Sequence, residues 1–404
     1  MRHAVISYNQ AMAGNASTDR IMHLREQLDA ANRAYYVDAD SIMSDRDYDA
    51  LMRELIDLEA ANPHLDDPTS PSHRVGGEPI EGFETVDHVV PMQSVDNTYS
   101  IEDLEAWLER VRRGLGLNDD HSGPMLACDP KIDGVAISLR YEDGVLVRAV
   151  TRGDGQRGDD VTAQVRAIRA IPLRLSGAAP AVLGIRGEIF MDNAVFESLN
   201  ERRRTSGEAL YANARNVTAG TLKSLDPGVV ADRQLRFSAH GLGECDGWDG
   251  GGAYSTYVAA LREFGVPVSG ELQLVRNLSE LVDAVHGFGA RRAELGFGVD
   301  GMVVRVDSFA HQETLGATSK APRWCVAFNY PADQGVTTLL EVAWQVGKGG
   351  TLTHGPPWSR FIWPAPPFSM RRCTTSRRSI ARTSESVIES WSRRRGRSFR
   401  RSWP

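Results

Sequence analysis

The sequence predicts an α+β fold in which antiparallel sheets with packed helices follow a small helical region. Residues 18–62 carry apolar side chains at helical spacing, whereas strand-like runs alternate with helical stretches from about residue 86 to 335. The strand-like runs are short and separated by turn residues. This pattern of short, turn-linked strands favours antiparallel sheets over a doubly wound parallel sheet.

Residues 18–62 are predicted to form a helical pair. Apolar residues recur at helical spacing at Ile21, Leu24 and Leu28, and again at Tyr48, Leu51, Met52, Leu55 and Leu58. Ser44 stands three residues before Asp47, an arrangement that caps a helix N-terminus, and Pro63 limits the far end. The turn-rich residues 62–79 that follow are interpreted as a linker.

The mixed region contains recognisable elements of both types. The predicted strands are VAISLRY, VLVRAVT, GIRGEIFM, LRFSAHGLG and DGMVVRVD. The predicted helices include IEDLEAWLERVRR and STYVAALREF.

The composition excludes several classes of protein. With 41% hydrophobic and 25% charged residues, it is typical of a soluble globular chain. No apolar run approaches the roughly 20 residues of a membrane helix, and the N-terminus lacks a secretory pattern, so we expect a cytoplasmic protein without membrane contact. The four cysteines form no CxxC pair, which argues against a zinc ribbon or a disulfide framework.

The charge is distributed unevenly along the chain. Residues 355–404 hold 12 Arg, no Lys and two acids, and removing this +10 from the net −7 leaves −17 for residues 1–354. If the main body meets nucleic acid, it would therefore do so through a local patch or need help from elsewhere. The segment 355–404 has no helical or strand period. It is interpreted either as a basic nucleic-acid arm or, preferably, as a non-native tail translated out of frame.

One glycine motif is interpreted as a turn. Gly153, Gly155 and Gly158 match the GxGxxG pattern of dinucleotide-binding turns. Asp159 and Asp160 would repel a pyrophosphate at the following helix terminus, and the acid expected about 20 residues later is absent. The glycines are therefore predicted to form a tight turn between two strands.

The chemistry centres on the tetrapeptide Lys131-Ile-Asp133-Gly134. Alone, KxDG is a weak pattern, and a lysine before a turn is its simplest interpretation. An unprotonated lysine is a nucleophile at phosphorus, and a nucleotidyl-transfer site also needs cations for phosphate and acids for ribose or metal. Such groups occur later in the chain, at Arg152, Glu188, Asp300 and Arg305.

The ordered motifs resemble a known family. The order KIDG, TRGDG, RGEIF, ANARN-xxAG-xLK-xLDP, VDGMVVRVD, LGATSKAPRW and FNYP is similar to that of the bacterial NAD-dependent DNA ligases. The N-terminal segment YYVDADSIMSDRDYDALMRELIDLEAANP, then SPSHRVGG and HVVPMQSVDN, resembles the first helical domain of that family and its link to the catalytic domain. The resemblance covers about residues 18–354.

The resemblance implies a role for individual residues. Lys131, with Asp133 and Arg305, would be catalytic, and Lys131 would accept AMP. The cofactor-binding set would be Tyr35, Asp45, Tyr48 and Asp49 for nicotinamide mononucleotide, and Ser94, Val95, Asp129, Arg152, Glu188, Asp300 and Asn329 around the adenylate. Arg215 and Lys223 would bind DNA at the nick, and no residue is assigned as a metal ligand. Tyr35 and Tyr48 have the alternative interpretation of helix-packing aromatics.

The resemblance also implies the reaction and its partners. Lysine would take AMP from NAD and release nicotinamide mononucleotide, AMP would pass to the 5′-phosphate of a nick, and the 3′-hydroxyl would then close it. Mg²⁺ would assist, and the partner would be nicked double-stranded DNA, in replication and repair, with no protein partner and a monomeric chain.

Three positions inside the expected site depart from the family pattern. Asp129 replaces a Glu, Arg305 replaces a Lys, and Asn329 replaces the Lys of a phosphate-contacting segment. Arginine exchanges a point donor for a planar fork. The asparagine removes a positive charge from a place where negative charge develops.

The expected domain order is an extension (1–17), a helical NAD-recognition domain (18–80), a nucleotidyltransferase domain (81–335), an incomplete oligonucleotide-binding barrel (336–354) and the tail. The remaining barrel, the zinc module, the helix-hairpin-helix array and the BRCT domain of the family are not found in these 404 residues. Two alternatives therefore stay open. The chain is a fragment or paralogue that self-adenylates without sealing nicks, or a non-catalytic nucleic-acid-binding remnant.

Overall fold

The computed structural model describes residues 2–38, 40, 42–74, 81–117, 123–248, 250–330, 343–346 and 352–355. Side chains are described for residue 17 onward within these ranges, except at 45, 343–346 and 352–355. The interpretation of the Arg-rich tail falls almost wholly outside them. In the part that is described, no helix is both long and apolar enough to cross a membrane.

The chain divides into two compact units, Met1–Phe196 with Ala214–Asn329, and Glu197–Asn213 with Tyr330–Pro404. The helices are α1 Arg2–Tyr36, α2 Asp45–Ala61, α3 Ile101–Gly114, α4 Thr162–Arg166, α5 Asn193–Thr205, α6 Ala214–Leu222, α7 Pro227–Ala231, α8 Tyr254–Glu263, α9 Leu278–Arg291 and α10 Phe309–Leu315. The strands are β1 Thr85–Asp87, β2 Asp96–Thr98, β3 Leu126–Ile132, β4 Val135–Glu142, β5 Val145–Thr151, β6 Arg157–Asp159, β7 Val182–Phe190, β8 Arg236–Asp246, β9 Gln273–Val275, β10 Val299–Val306, β11 Cys325–Asn329, β12 Ala343–Val346 and β13 Leu352–Gly355.

The strands form two larger sheets. One has five strands in the order β2-β11-β10-β3-β9, and the other has four in the order β5-β4-β7-β8. All pairings within them are antiparallel except the parallel pair of β11 with β2. The α+β prediction with antiparallel sheets is confirmed, and each quoted strand and helix has its counterpart. Two further pairs, β1 with β6 and β12 with β13, are two-stranded.

The predicted helical pair is present as α1 and α2. The Ser44 side chain caps α2 by accepting a hydrogen bond from the Asp47 amide at 3.2 Å, and the helix ends two residues before Pro63. The apolar stripes of the two helices form one core of Ile21, Leu24, Leu28, Ala31, Tyr48, Met52 and Leu55. Each buried Leu contributes roughly 2 kcal/mol to this packing. The first helix begins at Arg2, inside the segment predicted as an extension.

The linker residues pack against the mixed region. Residues 63–65 and 71–74 form short 3-10 turns, and Arg74 is buried. Its guanidinium donates to the Ile168 carbonyl at 2.7 Å. Arg33 of α1 donates to the carbonyls of Arg262 and Glu263 at the end of α8. Because capping a helix C-terminus satisfies its free carbonyls, these contacts hold the helical pair against the mixed region.

The second unit contains a loop after α5 and the pair β12–β13. Arg203 holds the loop, donating to the Ala209 carbonyl at 2.6 Å and lying over the Tyr211 ring. The residues expected to begin a barrel form an antiparallel hairpin, with Ala343 opposite Gly355 and Val346 opposite Leu352. Its membership of a barrel stays a prediction.

Candidate active site around Lys131

Lys131 lies near the end of β3, where the chain passes from one sheet to the other. After Ile132, the residues Asp133 and Gly134 turn the chain directly into β4 of the four-stranded sheet. A Cβ on Gly134 would stand 2.3 Å from the Ile189 carbonyl oxygen. Only glycine fits so close a backbone approach. The KIDG segment is thus the joint between the two sheets.

The Lys131 amine has a carboxylate partner. Its Nζ lies 3.4 Å from Asp300 Oδ2, with side chains that are 29% and 25% exposed. Asp300 belongs to β10, whose pairing with β3 shifts register between Val299 and Gly301. A bulge of this kind re-aims a side chain, and here it presents Asp300 to the neighbouring strand.

Asp133 bonds to a distant arginine. Arg215 Nη1 donates to Asp133 Oδ1 at 2.7 Å, so the first turn of α6 lies against the KIDG joint. The motifs indicated catalysis for Asp133 and DNA contact for Arg215. The structure brings the two together beside Lys131.

Glu188 supplies a third acid on β7. Burial raises its pKa to about 8, although the charges of Arg215, Arg152 and Lys131 oppose the shift. Its Oε2 atom is buried and accepts no hydrogen bond within the described chain. Buried acceptors without partners are uncommon in folded proteins. Glu188 therefore has an unused hydrogen-bonding atom beside the amine and two guanidinium groups.

Asp129 and Arg305 lie on the same sheet face as Lys131, and their side chains are more deeply buried than that of Lys131. Their side chains are 5% and 8% exposed, and Arg305 Nη2 lies 3.6 Å from Asp129 Oδ2. Arg305 Nη1 donates to the His240 carbonyl at 2.6 Å, and its guanidinium lies 4.0 Å from the Tyr254 ring centroid. Burial raises the pKa of Asp129 despite the nearby positive charge. The sequence did not indicate His240 or Tyr254, because neither belongs to a motif.

Asn329 stands in the same row as Lys131. Gly301 of β10 is opposite Lys131 on one side and opposite Asn329 of β11 on the other. Residues directly opposite one another share a face, and Gly301 has no side chain to separate them. Asn329 Nδ2 donates to Asn97 Oδ1 at 2.7 Å.

Four other candidates lie outside the strands of the two larger sheets. Arg152 is exposed immediately after β5, and Ser94 is exposed and Val95 half-buried in the loop before β2. Lys223 is exposed, with its Nζ 4.0 Å from Asp159 Oδ2. The predicted turn is confirmed, since Gly153 and Gly155 adopt φ of +54° and +95° between β5 and β6.

The residues expected to bind the nicotinamide half differ in how deeply they are buried. Tyr35 is exposed, whereas Tyr48 is buried in the helical core with its hydroxyl beside the Asn32 side chain. Asp45 is the first residue of α2. Arg169, which belongs to no motif, lies over the Tyr48 ring at 4.9 Å and 4.0 Å from Asp49 Oδ1. The structure brings Tyr48, Asp49 and Arg169 together.

The acids do not form an evident metal centre. Within the described ranges, no group of three or more His, Cys, Asp or Glu side chains is arranged to hold an ion. Cys128 and Cys325 are buried, and burial raises their pKa values to about 12 and about 11. Neither thiol belongs to a reactive class.

Comparison with known proteins gives two domain matches. The family described as "NAD-dependent DNA ligase adenylation domain" matches residues 80–333, and "DNA ligase-like, N-terminal NAD+-binding domain" matches residues 14–76.

Individual relatives are named DNA ligase. One from Ectopseudomonas mendocina (strain ymp) is 43% identical over 343 residues, which is 83% of this chain and 44% of the relative. Another from Akkermansia muciniphila is 45% identical over 341 residues, or 83% of this chain and 42% of the relative. The chain thus spans less than half the length of these relatives. A solved mycobacterial DNA ligase D, covering 53% of this chain and 57% of its own, aligns at 15% identity with a TM-score of 0.30, too low to support an argument.

Proposed function

Because this chain belongs to the NAD-dependent DNA ligase family, we propose that it transfers the adenylyl group of NAD to its own Lys131. The observation that carries the proposal is the grouping of Lys131 with Asp300, Asp133, Arg215 and Glu188 at the joint between the two sheets. An amine among acids and guanidinium groups has the composition that phosphoryl transfer requires.

The proposed first step is an in-line displacement. The Lys131 nitrogen forms a P–N bond with the adenylyl phosphorus, and the P–O bond to nicotinamide mononucleotide breaks with its electron pair leaving on that oxygen. The amine proton passes to solvent. Arg152 and Arg215 neutralise phosphate charge, and the unused Glu188 Oε2 accepts a ribose hydroxyl.

Further roles follow from the family. Asp129, Arg305, Asn329, Ser94 and Val95 contact the adenylate, and Tyr35, Asp45, Tyr48 and Asp49 grip the nicotinamide half. Asp300 pairs with the amine before reaction. Only the family resemblance implies Mg²⁺. The described residues provide no evident metal centre, so no step of the proposed reaction is assigned to the ion.

Two further transfers of the proposed reaction involve DNA. AMP passes from Lys131 to the 5′-phosphate of a nick, and the 3′-hydroxyl then attacks that phosphate and releases AMP. Arg215 and Lys223 contact the nick, in replication and repair in the cytoplasm, with a monomeric chain.

A second candidate function is self-adenylation without sealing. It is favoured by the −17 charge of residues 1–354. A body with that charge lacks the broad cationic surface that neutralises DNA phosphates.

The test is covalent labelling of the full chain with adenine-labelled NAD or ATP in the presence of Mg²⁺. We expect label from NAD only, lost in Lys131→Ala and kept in the exposed-lysine control Lys320→Ala. Label from ATP alone, or label on Lys131→Ala, contradicts the proposal.

Incubation of the labelled chain with a nicked duplex then separates the two candidate functions, because sealing requires the last two transfers. Salt-sensitive DNA binding without any label, lost on deletion of 355–404, would instead indicate a non-catalytic remnant.

A further inference from the structure

The space between the two sheets next to Lys131 is filled by a side chain of this chain. Lys131 and Asp129 are two residues apart on β3 and share a face, and Arg305 is the diagonal neighbour of Asp129 on β10. Counted over the whole residue, with its backbone, Arg305 is 6% exposed and Asp129 is 4% exposed. Both side chains are thus enclosed by the surrounding protein.

The Arg305 guanidinium spans the distance from one sheet to the other. It belongs to the five-stranded sheet, donates to the His240 carbonyl of the four-stranded sheet at 2.6 Å, and lies over the Tyr254 ring at 4.0 Å. A planar group against an aromatic ring occupies a stacking position. A flat ring system entering between the sheets beside Lys131 would meet this guanidinium.

The bonds that hold the guanidinium are incomplete. The Tyr254 hydroxyl bonds to the Asp129 carboxylate, but Asp129 Oδ2 and Arg305 Nε are both buried without a hydrogen-bond partner in the described chain, and the two groups approach only to 3.6 Å. A buried ion pair with unsatisfied atoms stabilises a fold poorly. Its exchange for contacts with a ligand therefore costs less free energy than the opening of a fully bonded pair would.

We propose that Arg305 is a plug, a side chain that closes the inter-sheet space to the base of an adenine nucleotide and leaves Asp129 when the nucleotide enters. The inference rests on the proposed function for the identity of the ligand. It adds that the resting chain competes with its own substrate, so that an opening step precedes binding.

The discriminating variant is Arg305→Lys. Lysine keeps the positive charge for a phosphate but lacks the planar fork that reaches His240 and stacks on Tyr254. Removing the plug without removing the charge should raise the affinity for nucleotide. A variant with the charge also removed would confuse the two effects.

The experiment is calorimetric titration of the full chain with AMP and with NAD. We expect Arg305→Lys to bind AMP at least about threefold more tightly than the wild type, because the opening step no longer reduces the apparent affinity. Arg140→Lys is the control, because Arg140 also pairs with acids, Glu142 and Glu244, but in a more exposed part of the four-stranded sheet and without an ion pair to Asp129. Its affinity should equal that of the wild type.

Stopped-flow association with the wild-type chain keeps the test independent of whether the variant folds. A plug predicts an observed rate that reaches a plateau as AMP rises, because opening becomes limiting, and a higher plateau in Arg305→Lys. A linear rise in the wild type, equal or weaker binding by the variant, or no binding by either protein overturns the plug. Tighter binding by the variant without labelling of Lys131 by NAD supports the plug and contradicts the proposed transfer.

Discussion

Asn329 donates a hydrogen bond from Nδ2 to Asn97 Oδ1 at 2.7 Å, joining the end of β11 to β2 in the row that contains Lys131. A neutral amide therefore occupies the position nearest the amine across Gly301. Family resemblance places a lysine there.

Asn329→Lys should speed self-adenylation, roughly tenfold to a hundredfold, because a cation would face the charge that develops on the transferred phosphate. Single-turnover labelling with NAD measures the rate. Asn97→Ala is the control, since it loses the same hydrogen bond without adding a charge, and should not accelerate labelling. Affinity for a nicked duplex should scarcely change in either variant. An unchanged labelling rate in Asn329→Lys would remove that position from the phosphate contacts.

Tyr48→Phe separates packing from NAD recognition. The Tyr48 hydroxyl is buried beside Asn32 in a geometry short of a full hydrogen bond, so its removal should change the free energy of unfolding by less than about 1 kcal/mol. If the hydroxyl grips the nicotinamide half, the KM for NAD should rise. Tyr141→Phe is the control, because Tyr141 donates to the Pro172 carbonyl at 2.9 Å and should lose about 1 kcal/mol of stability without affecting NAD. An unchanged KM for NAD in Tyr48→Phe would indicate that this tyrosine serves in packing and not in NAD recognition.

Glu188 should make stability depend on pH. Its pKa is raised from 4.5 to about 8 by burial, so the folded chain holds this proton more tightly than the unfolded chain. The stability it contributes is present below about pH 4.5 and is lost as pH rises towards 8.

Glu188→Gln should therefore match the wild type at about pH 4 and exceed its unfolding free energy at about pH 9, by on the order of 2 kcal/mol after allowance for solvent contact. Urea unfolding at both pH values measures the difference. Exposed Glu197→Gln should show no such dependence. A smaller advantage in alkaline than in acidic solution would contradict the buried-acid account.

Two glycines near Asp300 should respond differently to alanine. A Cβ on Gly301 would lie 2.2 Å from the Phe328 carbonyl oxygen, whereas one on Gly298 would meet only Asp133 Cβ at 3.6 Å. Gly301→Ala should lose at least about 2 kcal/mol of unfolding free energy, and Gly298→Ala less than about 1 kcal/mol. Denaturant midpoints compare them, and equal losses would argue against the close β10–β11 approach.

Alternating side chains predicted most of the fold, because a strand with one buried face has a period of two. VAISLRY and DGMVVRVD both became strands within one or two residues of their predicted ends. The strand carrying Lys131 could not be predicted in the same way. Its residues Leu126–Pro130 are all buried, which leaves no alternation, and Pro130 is unusual inside a strand.

The sequence motifs identified the candidate site residues but not the residues that contact them in the fold. Lys131 and Asp300 are 169 positions apart, and only the sheet order makes them neighbours. The burial of Arg305 depends on His240 and Tyr254, whose positions no local pattern encodes. Arg169 likewise acquires its contact with Tyr48 from the docking of the helical pair.

The strand order β2-β11-β10-β3-β9 has a consequence for synthesis on the ribosome. The strand that carries Lys131 leaves the ribosome early, while its neighbours β10 and β11 are encoded roughly 170 to 200 residues later. At elongation rates of about 5–20 residues per second, β3 waits on the order of 10 to 40 seconds for them. During that interval its unpaired edges are exposed to other chains. Lys131, the proposed nucleophile, is thus made well before the strands β10 and β11 that complete its side of the sheet.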